Sequence, residues 1–125
     1  NMANQTKVLI VEDDKFLSEL ISTKLDKEGF NIALAGDGET GLKKAEEFKP
    51  EIVLLDIMLP GMDGFEVLEK LKANAELKKI PVIILSNFGQ ESKVERGLQL
   101  GAVDYLVKAN FTTGEIVSKI KEILK

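Results

Sequence analysis

The chain has no cysteine, no histidine and no tryptophan in 125 residues, and only three prolines and one tyrosine. Without cysteine there are no disulfides, no thiolate nucleophile and no sulfur ligands for a metal. Without histidine there are no imidazole metal sites, no Ser-His pair and no general base titrating near neutrality. Basic residues are nearly all lysine, scattered along the chain, with Arg96 as the single arginine and a net charge of −4. That pattern argues against a surface for nucleic acid. No run approaches the ~20 apolar residues of a membrane helix, and the polar start Asn1 to Lys7 has no signal-peptide pattern. The sequence therefore predicts a cytoplasmic protein with no membrane segment, whose chemistry rests on carboxylates, lysines, hydroxyls and the backbone.

What is present is an alternation of short apolar runs and helical periods. Val8 to Val11 is a first strand, and Asp14 caps a helix with Leu17, Leu20, Ile21 and Leu25 on one face, stopped at Gly29. Phe30 to Ala35 reads as a second strand, Asp37-Gly38 as a turn, and Leu42, Ala45 and Phe48 as the face of a helix ending before Pro50. Ile52 to Leu55 is a third strand, with Phe65, Leu68 and Leu71 on the helix that follows. Pro81 to Leu85 is a fourth, followed by a weaker helix with Val94 and Leu98, stopped at Gly101. Ala102 to Val107 is a fifth, and Thr112 with Glu115 forms a capping box for the last helix. Five β-α units with short connections predict an α/β fold of class (βα)₅, a three-layer sandwich around a five-stranded, mostly parallel sheet. Runs one, three and four are almost wholly apolar, as strands covered on both faces are. Runs two and five are mixed, which places them at the edges. Residues 1–6 read as a tail or expression remnant, residues 7–125 as one domain, and no output domain is expected within the chain.

In such a sheet, ligands bind beyond the carboxyl ends of the strands, where strand order reverses. The first strand leaves Glu12, Asp13 and Asp14 there, the third leaves Asp56, the fourth Ser86 and Asn87, and the fifth Lys108. Taken singly, each has a plain explanation: Asp13 and Asp14 as helix caps, Asp56 as a loop carboxylate, Ser86 as a turn residue, Lys108 as a solvated lysine. Their arrival at one end of successive strands argues for a joint role. Clustered carboxylates repel unless a cation sits among them, and a few oxygen ligands suit Mg²⁺. Asp56 is then a nucleophile for a phosphoryl group, Lys108 neutralises a phosphoryl oxygen, and Ser86 donates a hydrogen bond to it.

These residues are where the chain resembles the receiver domain of two-component response regulators. The resemblance spans about Lys7 to Leu124 and rests on Val11-Glu12-Asp13-Asp14, on Leu55-Asp56-Ile57-Met58-Leu59-Pro60-Gly61-Met62-Asp63-Gly64, on Ile84-Leu85-Ser86, and on Gly101 to Lys108. It implies a flavodoxin-like strand order of 2-1-3-4-5. It implies that Asp56 accepts a phosphoryl group from the phosphohistidine of a histidine kinase or phosphotransfer protein. Asp13 and Asp14 would hold Mg²⁺ with Asp56, one directly and one through water, and the Met58 carbonyl would add a ligand. Lys108 would contact the phosphoryl group, Ser86 would move towards it, and Tyr105 would change rotamer. That change would alter the face of helix four, strand five and helix five for a downstream effector. Such a domain is an acceptor that takes part in its own phosphoryl transfer and dephosphorylation, not an enzyme with a turnover substrate.

Two departures carry expectations. Receivers usually have proline after the lysine, often with a cis bond, whereas Ala109 stands here. A cis bond without proline costs about 3–4 kcal/mol, so a trans Lys108–Ala109 bond and a shifted loop are predicted. The residue after the hydroxyl is usually small, and Asn87 is predicted to tune dephosphorylation by screening the site or bonding the phosphoryl group. A Mg²⁺-dependent phosphohydrolase with an Asp nucleophile needs a carboxylate two residues on, where this chain has Met58. A flavodoxin-type FMN site needs a hydroxyl- and glycine-rich loop where Glu12-Asp13-Asp14 would repel phosphate. A receiver used only for docking would lack the acceptor residues that this chain retains.

Overall fold

A computed structural model describes residues 6–125, so the expected tail falls almost entirely outside the described residues. The strands are β1 (Lys7–Val11), β2 (Asn31–Ala35), β3 (Ile52–Leu55), β4 (Val82–Ser86) and β5 (Asp104–Val107). The helices are α1 (Lys15–Lys27), α2 (Gly38–Phe48), α3 (Gly64–Ala73), α4 (Glu91–Gln99) and α5 (Thr113–Leu124). The sheet is parallel with order 2-1-3-4-5. The three apolar runs are its central strands and the two mixed runs its edges, because only a central strand loses both faces to helices.

Residue alternation divides the core in two. Val8, Ile10, Ile52, Leu54, Ile83 and Leu85 point to the face covered by α1 and α5. Leu9, Val11, Val53, Leu55, Val82 and Ile84 point to the face covered by α2 and α3, with Val94 of α4 packed at its margin. Right-handed crossovers require this split: the chain turns one way from β1 to β2 and the other way towards β3. The direction changes between β1 and β3, and their carboxyl ends open a crevice there.

Local signals explain the boundaries. Asp14 caps α1 and Thr112 with Glu115 forms the reciprocal box on α5. Gly29 and Gly101 take φ of 91° and 110°, which only glycine adopts cheaply, just beyond α1 and α4. Two expectations are amended. Asp37 and Gly38 open α2 rather than making a free turn, since Asp37 Oδ1 accepts from the Thr40 N–H at 2.7 Å. In α4, Leu98 is 45% exposed and Gly97 is the one buried residue, so the helix sits on the sheet through its backbone.

Candidate functional site

Every strand but β2 delivers one part of the site. Beyond β1, Glu12 is buried; its Oε2 accepts from the Asp14 N–H at 3.0 Å. Asp13 is exposed beside it. Beyond β3, the Asp56 N–H continues the ladder by donating to the Val11 carbonyl at 2.9 Å, which seats its side chain at the crevice. The Asp56 side chain is 4% exposed, and Oδ1 accepts from the Met58 N–H at 3.3 Å. Beyond β5, Lys108 reaches back so that Nζ lies 3.0 Å from Glu12 Oε1 and 3.3 Å from Asp56 Oδ2. At the end of β4, Ser86 is fully buried and its Oγ accepts from the Phe88 N–H at 3.0 Å. Asn87, next along, is exposed.

One oxygen from each of Glu12, Asp13 and Asp56 lies within 4.8 Å of the others. Asp14, expected among the metal ligands, is turned away: its Oδ1 accepts from the Leu17 N–H at 3.1 Å and caps α1. Glu12 takes its place in the cluster. The reason is the helix start: as the N-cap of α1, Asp14 directs its carboxylate to the first-turn N–H of Leu17, whereas Glu12 and Asp13 still lie just beyond the end of β1. The burial of Glu12 was the missing signal; a carboxylate taken out of water needs partners, and Glu12 finds them in the Asp14 N–H and Lys108. The Lys108–Ala109 bond is trans, as expected, since no described residue has a cis bond. A short 3₁₀ turn, Lys108–Asn110, follows β5 and leaves Lys108 within reach of Asp56.

The loop that carries the Met58 carbonyl is held by a close approach. The Gly64 N–H donates to the Ile57 carbonyl at 2.7 Å, and a Cβ at Gly64 would overlap the Asp56 carbonyl oxygen. No side chain fits there, which accounts for the glycine that opens α3.

The family model for the response regulator receiver domain matches residues 8–121. The chain belongs to that family. It is a receiver domain, a phosphoacceptor switch of two-component signalling. The receiver is 37% identical over 119 residues to the alkaline phosphatase synthesis transcriptional regulatory protein PhoP of Bacillus subtilis, covering 95% of this chain and 48% of that protein. It spans about half the length of the curated relatives it matches. Among solved structures, a putative response regulator from Chloroflexus aurantiacus is 31% identical, with a TM-score of 0.88 over 96% of this chain and 98% of that one. CheY in the CheX-CheY-BeF3-Mg²⁺ complex from Borrelia burgdorferi is also 31% identical, with a TM-score of 0.86 over 95% and 89% of the two chains. No helix among the described residues is long and apolar enough to cross a membrane.

The receiver's electrostatics fit a hard cation. Burial pushes the Glu12 carboxyl from 4.5 up to about 7, and the Asp56 charge adds to this against the Asp14 N–H and Lys108. Burial alone would lower the Lys108 ammonium, but the Glu12 and Asp56 carboxylates outweigh it and hold it above its ordinary value. Lys108 pairs with two of the three clustered carboxylates, and the buried Glu12 Oε1 is paired with it by charge without an aligned hydrogen bond. An all-oxygen donor set with surplus negative charge suits Mg²⁺, which acidic receiver sites bind.

A pH dependence follows. The unfolded chain releases the Glu12 proton near its ordinary value, the folded receiver only near 7. Between those values the native state binds more protons, so metal-free stability falls as pH rises from about 4.5 to about 7 and then levels off. A cation competes with that proton, so the thermal shift produced by Mg²⁺ grows as pH rises through the same window. Thermal unfolding with Mg²⁺ and with EDTA, from about pH 5 to 8, checks this; a Mg²⁺ shift independent of pH contradicts it.

Proposed function

We propose that Asp56 is the phosphoacceptor of this receiver and that Glu12, Asp13 and the Met58 carbonyl join it in holding Mg²⁺. The observation that carries this reading is the buried Asp56 carboxylate, 3.3 Å from Lys108 Nζ and clustered with two further carboxylates. Asp13, the exposed member, and Asp56 are assigned as direct ligands; Glu12, whose Oε2 is engaged by the Asp14 N–H, is assigned an indirect contact through water. When bound, Mg²⁺ offsets the charge of the incoming phosphoryl oxygens.

The transfer begins from a phosphohistidine on a histidine kinase or phosphotransfer protein, the donors that the receiver family implies. An Asp56 carboxylate oxygen bonds to phosphorus, the P–N bond breaks, and the electron pair leaves with the imidazole. Lys108 neutralises one oxygen of the new acyl phosphate. Ser86 already uses Oγ as an acceptor from Phe88 and keeps its O–H to donate to another. Hydrolysis returns the carboxylate, and these same groups serve that step.

The structural link to a partner surface runs through Phe88. Its N–H is held by Ser86 Oγ, and its carbonyl accepts from Tyr105 O–H at 2.7 Å. Movement of Ser86 towards a phosphoryl group releases the tether on the N–H of Phe88 and shifts the same residue's carbonyl, the acceptor for Tyr105. This supports Tyr105 as the residue that carries the signal to the face of α4, β5 and α5, which an effector reads. The relatives named as transcriptional regulators are twice as long as this chain. The scattered lysines and net charge of −4 support a receiver that does not itself contact nucleic acid. We also assign the receiver to the cytoplasm, where histidine kinases phosphorylate their partners.

Incubation with acetyl phosphate and Mg²⁺ adds the mass of one phosphoryl group to the intact protein, and an unchanged mass would favour a docking-only receiver. Asn87 is exposed and follows Ser86 in the chain, which supports a role in screening the acyl phosphate or bonding it. Either role makes Asn87→Ala shorten the lifetime of the phosphorylated form, by about two- to fivefold through freer access of water. Dephosphorylation followed by intact mass checks it, and an unchanged lifetime removes Asn87 from the site.

A further inference from the structure

Gly97 is the one buried residue of α4, yet glycine weakens a helix interior. A tight contact explains its presence. A Cβ at Gly97 would lie 2.6 Å from Ile84 Cδ1, 3.1 Å from Tyr105 Cδ2 and 3.5 Å from Tyr105 Cε2. Ile84 and Tyr105 are register partners across β4 and β5, on the face that α4 covers. The Tyr105 ring thus lies in a slot with the α4 backbone as one wall, and from there its O–H reaches the Phe88 carbonyl.

The helix cannot simply lift away to admit a side chain. The Arg96 guanidinium sits over the buried Phe65 ring, 4.4 Å from its centroid, and ties α4 to α3. At the other end Gln90 makes no side-chain capping bond, but Lys93 Nζ lies 5.2 Å from the centroid of the Phe88 ring and ties the first turn of α4 to the loop after β4. Ile84 is fully buried and packed, which limits how far its methyl end can move. The ring of Tyr105, near the surface at 8% exposure, is the group with somewhere to go.

We propose that Gly97 is a positioning residue for the switch: its missing side chain creates the slot for Tyr105 and so sets the balance between the inward and outward ring. The proposal rests on the reading that Tyr105 carries the signal. A methyl group at position 97 crowds the edge of the inward ring and shifts the population outward without touching the acceptor site.

Tyr105 is the only tyrosine and there is no tryptophan, so tyrosine fluorescence reports this one ring. Acrylamide quenching is measured for the wild type and Gly97→Ala, with and without Mg²⁺ plus beryllofluoride as a stable acyl-phosphate mimic. Without the mimic, Gly97→Ala is expected to raise the quenching constant at least about twofold, and the change produced by the mimic differs from the wild type's. The double variant Ile84→Val/Gly97→Ala removes the closest contact, protects the fold and retains the contact with the ring. It is expected to keep the raised constant. A wild-type constant in either folded variant overturns the proposal, whatever the mimic does to the wild type. A wild-type constant that the mimic leaves unchanged overturns the reading of Tyr105 beneath it, even where Gly97→Ala exposes the ring. Circular dichroism establishes that each variant is folded.

Discussion

Asp56→Asn takes up no phosphoryl group from acetyl phosphate and Mg²⁺, yet unfolds at a higher temperature than the wild type without metal. Both results have one cause. The substituted amide would keep an oxygen to accept from the Met58 N–H but has no charge, so it is neither a nucleophile nor a repelling neighbour of Glu12 and Asp13. Relief of that repulsion and of the cost of a buried charge is worth on the order of 1 kcal/mol. Saturating Mg²⁺ narrows the gap, because it stabilises the wild type by mass action and binds the variant less well. Intact mass and thermal unfolding with EDTA and with Mg²⁺ measure the three quantities. Phosphorylation of the variant would move the acceptor elsewhere, and a lower unfolding temperature without metal would show that the three carboxylates do not strain the apo fold.

Lys108→Met is expected to do the reverse to stability while also impairing transfer. Nζ is the one cation paired with Glu12 and Asp56 among the described ion pairs, and its side chain is 15% exposed. Methionine keeps most of the stem's packing and removes only the charge. Two buried carboxylates then share a site with no counter-ion, at a cost of about 1–3 kcal/mol once Glu12 has taken up a proton. Loss of a group placed to neutralise a phosphoryl oxygen typically slows transfer by about 10²–10³-fold. Initial rates of labelling by acetyl phosphate and the metal-free unfolding temperature test the pair. Opposite stability effects at two residues only 3.3 Å apart separate an electrostatic site from a merely packed one, since loss of packing would destabilise both variants. A Lys108→Met receiver with normal transfer would remove Lys108 from the chemistry.

Much of this was legible because the relevant forces are local. Unbroken apolar runs marked β1, β3 and β4 as central strands, and mixed runs marked the edges, because burial on two faces admits almost no polar side chain. Caps at Asp14 and Thr112 were readable because each satisfies N–H groups within one turn. The trans bond before Ala109 followed from peptide energetics alone. Direction at the ends of strands was less legible. Glu12, Asp13 and Asp14 are chemically interchangeable on paper, and Leu20 and Leu98 fit their helical periods although both remain partly exposed.

By itself the sequence determined the fold class, the edge strands, the helix starts and the strand ends at which the acids, hydroxyl and lysine would gather, since each follows from periodicity or from a contact within a few residues. Only the tertiary structure decided that Glu12 rather than Asp14 joins the cluster, that Lys108 spans two carboxylates, and that Gly97 yields its space to Tyr105. Those choices depend on where a side chain points once β1, β3, β4 and β5 lie side by side, and sequence spacing carries no information about direction across a gap between strands.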